Sequence, residues 1–293
     1  MSEPTRAQFQ GLDLNGSPDL LIHSDAARIL DLLPAESIDL IYIDPPFNTG
    51  STQRLSSIKT EQDAESTRAG FGGRTYKTTL VSSHSYRDSY DDYLGFLVPL
   101  LRRSRELLSS QGSLYLHLDY REVHYVKIEL DNIFGRSNFL NEIIWAYDFG
   151  GRSKRRWPAK HDTILVYVKA MGKHIFNYEE IQRIPYMAPG LVTREKATRG
   201  KVPTDVWWQT IVHTAGSERT GYPNQKPEAI LKRIIQASSN PKSWVLDFFA
   251  GSGTTASAAQ TLGRRFIAVD SNPQAISIIK NRIDMTHVEE LGF

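Results

Sequence analysis

The sequence predicts an α/β protein built on a mostly parallel sheet, and three observations carry that prediction. Short apolar, β-branched runs alternate with stretches of helical periodicity along most of the chain. One such run ends in a Gly-x-Gly turn that opens directly into a helical pattern. The chain has 293 residues, 40% hydrophobic and 23% charged, which suffices for one large α/β domain or two modest ones with a substantial core.

Taken in order, Asp39 to Ile43 reads as a buried strand, stopped where Pro45 and Pro46 cannot donate to a ladder. Ser51 to Tyr90 is polar, contains Gly70, Gly72 and Gly73, and keeps no sustained period. It reads as a long mobile loop, of the kind that is functional or disordered. Leu94, Leu97, Leu100, Leu101, Leu107 and Leu108 fall at helical spacing from Tyr93 to Leu108, and Gln111-Gly112 ends that pattern. A strand over Gly112 to Leu118 and a helix over Val123 to Ile133 follow. Glu142 to Tyr147 and Asp162 to Val168 read as a strand pair flanking the densest basic cluster. Residues 178–209 are polar, rich in Pro and aromatics, and show no clear period. Pro227 suits a first helical turn, with Ile230, Leu231, Ile234 and Ile235 forming an apolar face through Ala237. Strand Ser243 to Phe248, helix Thr254 to Leu262, strand Arg265 to Val269 and a last helix from Pro273 complete the series.

Composition removes several function classes. With no cysteine, the chain cannot carry a disulfide scaffold, a thiolate zinc site or a cysteine nucleophile, which fits a reducing, cytoplasmic setting. The eight histidines show no H-E-x-x-H spacing, so no metal is expected. No apolar run approaches the roughly 18–20 residues needed to cross a bilayer. The first ten residues lack the apolar core of a secretory signal.

The net charge of +2 is ordinary, but its distribution is not. Residues 150–201 hold twelve Lys/Arg against four Asp/Glu, a local +8, so the rest of the chain carries −6. A basic insert in a mildly acidic body suits a phosphate-contacting module; a solvated surface segment would have the same charge.

The strongest local signal is Val245-Leu246-Asp247-Phe248-Phe249-Ala250-Gly251-Ser252-Gly253-Thr254-Thr255-Ala256. A strand enters a Gly-x-Gly turn that opens a helix, and the next strand ends in Asp270. The turn lets backbone approach a ligand, the helix offers free N–H groups, and the carboxylate can accept from two ribose hydroxyls. This is the pattern of a nucleoside-cofactor site. The same residues also satisfy the dinucleotide fingerprint of an NAD-dependent oxidoreductase. Against that rival, the motif lies in the last fifth of the chain, with one further strand expected after it.

Asp44-Pro45-Pro46-Phe47 supplies what transfer to an exocyclic amine requires. An amine conjugated to a nucleobase is a poor nucleophile, because its lone pair is delocalised. The Asp44 carboxylate and the Pro45 carbonyl can accept both N–H groups, favouring a pyramidal nitrogen and stabilising the positive charge that develops on it. The prolines hold that geometry in advance, and Phe47 offers a flat face for an extruded base.

These two motifs together resemble the amino-methyltransferases that use S-adenosylmethionine to methylate adenine N6 or cytosine N4 in DNA. The order, with the tetrapeptide early, a basic variable segment between and the cofactor loop late, resembles the β-group of that family. The resemblance extends to Leu20 to Gly50, Gly112 to Asp119, Tyr222-Pro223-Asn224-Gln225-Lys226-Pro227, and Ser239 to Asp270. It implies a Rossmann-like class I methyltransferase sheet with circularly permuted motif order, in which the strand ending at Asp270 lies beside one formed by Asp19 to His23. It also implies a division into 1–149, the catalytic half; 150–210, a small basic target-recognition insert; and 211–293, the cofactor-binding half.

Carried onto this sequence, the resemblance makes Asp44, Pro45, Pro46 and Phe47 catalytic. The cofactor-binding candidates are Asp25, Lys226, Asp247, Phe249, Ala250, Gly251, Ser252, Gly253, Thr254, Thr255 and Asp270. Asp25 matches a position that contacts the cofactor adenine, and it would equally cap the helix starting near Ala26. Lys226 is placed to pair with the methionine carboxylate of the cofactor, or to be a solvated lysine at a helix start. Asn224 stands where the family usually has Thr. Arg152, Lys154, Arg155, Arg156 and Lys160 are the candidates for DNA contact. The expected reaction is direct methyl transfer from S-adenosylmethionine to a flipped-out base in double-stranded DNA. Adenine N6 is favoured, because the family's cytosine enzymes more often begin the tetrapeptide with Ser; cytosine N4 is the alternative. A degenerate paralogue that only binds DNA is a further alternative. The family also allows a homodimer and a cognate restriction endonuclease in the same system.

Overall fold

The structure, a computed structural model, describes residues 11–49, 51–62, 76–88, 90–151, 153–213 and 216–293. The N-terminal half contains β1 (Asp19–His23), α1 (Ala26–Leu30), β2 (Ile38–Ile43), β3 (Ser51–Gln62), β4 (Tyr76–Asp88), α2 (Tyr93–Leu107), β5 (Leu108–Leu118), α3 (Val123–Phe134) and β6 (Phe139–Ala146). Then come β7 (His161–Val168), α4 (Arg194–Arg199), β8 (Val206–Trp208), α5 (Glu228–Ser238), β9 (Trp244–Asp247), α6 (Thr254–Thr261), β10 (Arg265–Asp270), α7 (Pro273–Arg282) and β11 (Val288–Gly292).

Nine strands form one sheet in the order β11-β1-β10-β9-β2-β5-β7-β6-β8. From β11 to β5 every neighbour is parallel, whereas β7 runs antiparallel to both β5 and β6. The apolar runs are continuous because both faces are covered by helices. On one face Ile41, Ile43, Leu114 and Leu116 pack under Ile29, Leu97, Leu101 and Leu130. On the other, Leu40, Tyr42, Val245 and Phe266 pack under Ile230, Leu231, Ile234 and Ile235 of α5 and under Ile276 and Ile279 of α7.

Three pairings position the site. As expected, β10 lies beside β1, with Leu20 opposite Ile267 and His23 opposite Asp270. The pairing of β9 with β2, Leu40 opposite Val245, joins the late part of the chain to the early part. Parallel alignment then brings the carboxyl ends of β1, β10, β9, β2 and β5 to one edge, the edge at which open α/β sheets bind ligands.

The structure departs from expectation in two places. The long loop expected from Ser51 to Tyr90 is instead a two-stranded antiparallel ribbon, β3 with β4, from Ser51 opposite Asp88 to Gln62 opposite Tyr76. Ser51 to Gln62 carries only Leu55 and Ile58 as large apolar residues, so no apolar alternation announced a strand. The glycines at 70, 72 and 73 lie outside the described residues. A second strand, β11, follows the Gly-x-Gly motif and pairs in parallel with β1, where only one had been expected. Its Val288-Glu289-Glu290 start is too polar to read as a strand without its partner. Residues 150–210 contribute β7, the expected strand at Asp162 to Val168, to the interior of the sheet and β8 to its edge. No helix among the described residues is long and apolar enough to cross a membrane.

Candidate active site

Four carboxylates, Asp25, Asp44, Asp247 and Asp270, sit at or just beyond the carboxyl ends of β1, β2, β9 and β10 and line one cavity of about 540 Å³. That volume falls in the usual range for small-molecule sites, about 300–1,000 Å³. Asp44, Pro45, Pro46 and Phe47 all line it, as do all the cofactor candidates except Gly253. Phe96 and Tyr90 extend its aromatic wall from the opposite side.

The tetrapeptide is held from both ends. The Tyr93 hydroxyl donates to the Pro46 carbonyl at 2.8 Å. Beyond Phe47 the chain turns through Asn48, left-handed at φ 53°, whose side chain accepts from Tyr90 N–H and donates to Glu122, at 2.9 and 2.8 Å. Asp44 itself is bound asymmetrically. Lys226 Nζ donates to its Oδ2 at 2.5 Å, while Oδ1 is buried and has no hydrogen-bond partner among the described residues. An unpaired buried acceptor in a cavity is costly unless a ligand donor satisfies it. The Lys226 ammonium also lies 4.9 Å from the centre of the Phe47 ring. It is a buried residue, so the solvated helix-start lysine is not what the chain contains. Its partner here is Asp44, not a group of the nucleoside loop.

The loop after β9 is organised by its own acids. Asp247 accepts from Phe249 N–H at 3.0 Å and from the Thr255 hydroxyl at 2.6 Å, tying the strand end to the start of α6. Burial, together with the negative charges of Asp44 and Asp270, pushes its carboxyl up to about 7. Asp270 accepts from Gly251 N–H and Asn272 N–H, both at 2.8 Å, one on each oxygen, and burial raises its carboxyl as well. Each Asp270 oxygen keeps a lone pair, which is what two ribose hydroxyls require. Thr254 turns inward, donating to the Lys226 carbonyl at 3.1 Å. Asp25 caps α1 through Ala27 N–H at 2.9 Å and still lines the cavity.

The two motif glycines answer to protein neighbours. Gly253, at φ 72°, caps α6, and a Cβ there would stand 2.7 Å from Ile279 Cγ1. A Cβ on Gly251, at φ 50°, would meet Tyr222 at 3.1 Å. Tyr222-Pro223-Asn224-Gln225-Lys226 is thereby pressed over the loop and forms a wall of the cavity.

On the other side of that wall lies a second cavity of about 940 Å³, which residue patterns did not anticipate. The cavities share Phe47 and residues 222–226. Asp119, Tyr120, Trp145, Tyr147, Phe149 and Asp162 line the second one. Beneath Phe47 runs a buried hydrogen-bonded chain. Tyr42 OH lies 2.9 Å from His117 Nδ1, His117 Nε2 lies 3.1 Å from Asp162 Oδ2, and Tyr147 OH donates to Asp162 Oδ1 at 3.3 Å. Facing a carboxylate, Nε2 is the donor, so Nδ1 accepts from Tyr42. Burial alone would raise the Asp162 carboxyl, but the hydrogen bond from His117 and the charge of Lys226 hold it below its usual value. Phe47 rests against the His117 ring at 6.0 Å, and His117 against Trp145 at 5.5 Å. The available sequence signals were His117 and Asp119 at the end of one strand and Trp145 and Tyr147 at the end of another.

The basic candidates divide. Arg156 lines the second cavity and its Nη2 donates to Tyr120 OH at 3.4 Å. Lys154 and Arg155 are exposed beside it. Lys160 Nζ donates to the Gly151 carbonyl at 2.9 Å, closing the loop between β6 and β7. Arg152 lies outside the described residues.

The chain is similar to known proteins over most of its length. Residues 38–281 match the family N6_N4_Mtase, described as DNA methylase. The chain is 30% identical over 291 residues to the DNA adenine methyltransferase YhdJ of Escherichia coli K12, covering 97% of this chain and 86% of that one. Its fold resembles that of the M1.HpyAVI–SAM complex, with TM-score 0.56, 22% identity and coverage of 90% and 98% of the two chains. It likewise resembles the PvuII DNA methyltransferase, cytosine-N4-specific, with TM-score 0.63, 15% identity and coverage of 94% and 95%. A match over most of the length, running from the strand before Asp44 to the helix after Asp270, makes this chain a member of the N6_N4_Mtase family of DNA methylases.

Proposed function

We propose that this chain methylates the N6 amine of adenine in double-stranded DNA, with S-adenosylmethionine as methyl donor and the target base extruded into the second cavity. One observation carries the reading: two cavities meet at Phe47 and Lys226, directly beside a buried Asp44 oxygen that lacks a donor among the described residues.

The first cavity fits the cofactor on the chemistry of its donors. Asp270 can take the ribose hydroxyls, Asp25 a purine edge, and Phe249 and Phe96 apolar contact, within a volume suited to a nucleoside bearing an amino-acid arm. Bound there, S-adenosylmethionine supplies an electrophilic methyl group on a sulfonium.

The residues of this chain do the rest. Phe47 offers its ring to the base, backed by His117 and Trp145. Asp44 Oδ1 accepts one amine N–H and the Pro45 carbonyl the other. Both hydrogen bonds strengthen as the nitrogen gains positive charge, so the stabilisation is larger in the transition state than in the ground state. The N–CH3 bond forms as the S–CH3 bond breaks to leave a neutral thioether, and the nitrogen then gives up its extra proton to solvent. Lys226 holds Asp44 Oδ2 and prevents the carboxylate from rotating away.

The test is mass spectrometry of nucleosides from a methylation-deficient host expressing the chain, followed by mapping of the modified sites. N6-methyladenine is expected, and the Asp44→Ala variant should leave none. N4-methylcytosine would overturn the choice of base, and full methylation by Asp44→Ala would overturn the mechanism.

A further inference from the structure

Trp157 has no part in the site described above, yet it is 95% exposed, more than any other large apolar side chain among the described residues. It stands in the loop joining β6 to β7, between Arg156 and Pro158, which both line the second cavity although Trp157 does not. The loop is built to hold it there. Tyr147 N–H donates to the Lys160 carbonyl at 3.1 Å and Lys160 Nζ returns to the Gly151 carbonyl, which closes the base of the loop. Ser153 Oγ accepts from the N–H groups of Arg155 and Arg156 at 3.2 and 3.3 Å, ordering the turn before Trp157. Pro158 confines Trp157 itself to extended backbone. The indole is thus kept in water on an ordered, basic loop, away from the apolar clusters that the described residues form.

We infer that Trp157 is a wedge that enters the base stack of duplex DNA and fills the place the target base leaves on moving into the second cavity. The inference rests on the methyltransferase reading and extends it to the DNA side of the reaction. Two features specify the occupant. Lys154, Arg155 and Arg156 precede the ring with positive charge, which suits a phosphate backbone on either side of an inserted ring. Its chain neighbours Arg156 and Pro158 both line the second cavity, so the ring stands next to the place proposed for the extruded base.

The test uses the whole chain and two duplexes carrying the methylated site, one fully paired and one with an abasic position opposite the target base. In the second duplex the target base has no pairing to lose, so a wedge is needed less. Trp157→Ala should lower kcat/KM on the paired duplex by about ten- to a hundredfold and lie within about threefold of the unaltered chain on the abasic duplex. Trp157→Phe should keep most of the activity on both. S-adenosylmethionine binding by calorimetry should be unchanged in Trp157→Ala, because this residue touches no wall of the first cavity. An undiminished rate on the paired duplex, or an equal loss on both duplexes, would overturn the wedge. If the unaltered chain methylates neither duplex while binding S-adenosylmethionine, the choice of DNA substrate fails, and the wedge with it.

Discussion

Lys226 grips one oxygen of Asp44 at 2.5 Å while the other has no hydrogen-bond partner among the described residues, although 182 positions separate the two residues in the chain. The pair spans the junction of β2 with β9, where the early and late parts of the chain meet. It makes the carboxylate directional: one oxygen is committed to the protein and the other is left for a ligand donor.

Removing the cation should therefore hurt both fold and chemistry. With side chains only 8% and 20% exposed, the pair is a largely buried one. Lys226→Met should cost on the order of 3 kcal/mol in urea denaturation, because it strands a carboxylate. Single-turnover methylation should fall at least about tenfold, while Lys226→Arg retains more. If Lys226 instead held the cofactor's carboxylate, the same variant would chiefly weaken S-adenosylmethionine binding, which calorimetry reads directly.

Asp247 should make stability fall as pH rises. Its native carboxyl titrates near 7, well above the ordinary 3.8, so the folded chain binds a proton there that the unfolded chain has already lost. The stabilising contribution is complete below about pH 4 and disappears as pH rises through 7. Asp247→Asn cannot ionise. The stability of the unaltered chain relative to that variant should decline by a few kcal/mol, to order of magnitude, between about pH 4 and 7. A flat difference across that window would show that Asp247 is not protonated in the fold.

Gly253 should tolerate no side chain. Its left-handed backbone and the 2.7 Å approach of Ile279 act together against a Cβ. Gly253→Ala should lose about 1–3 kcal/mol of stability by thermal or urea melting. In a double-mutant cycle with Ile279→Ala, which removes both Cγ atoms, Gly253→Ala should cost less than in the unaltered chain, leaving the backbone component.

The exposed lysine and arginine before Trp157 should act through charge alone. Lys154→Ala and Arg155→Ala should each lower the salt dependence of DNA affinity by about one phosphate equivalent, similarly for all sequences. A loss confined to the methylated site would show instead that the residue reads a base.

Much of this protein was legible in local sequence, because the features concerned are enforced within a few residues. Two prolines end a strand whatever surrounds it, and a Gly-x-Gly turn between a strand and a helix needs only its own backbone. Apolar periodicity located α2 and α5, and apolar runs located most strands of the sheet, for the same reason. Segments whose stability comes from a partner were not legible: the polar ribbon of β3 and β4, and β11, which is a strand because β1 lies beside it. The site divides in the same way. Asp44 and Asp270 announce themselves by motif, but the second cavity is assembled from the ends of β5, β6 and β7 and from residues 219–226, segments far apart in sequence. Tertiary packing alone assigned Lys226 to Asp44, His117 to Asp162, and the indole of Trp157 to water. Each assignment depends on which side chains can reach one another at close range, and spacing along a chain carries no record of that distance.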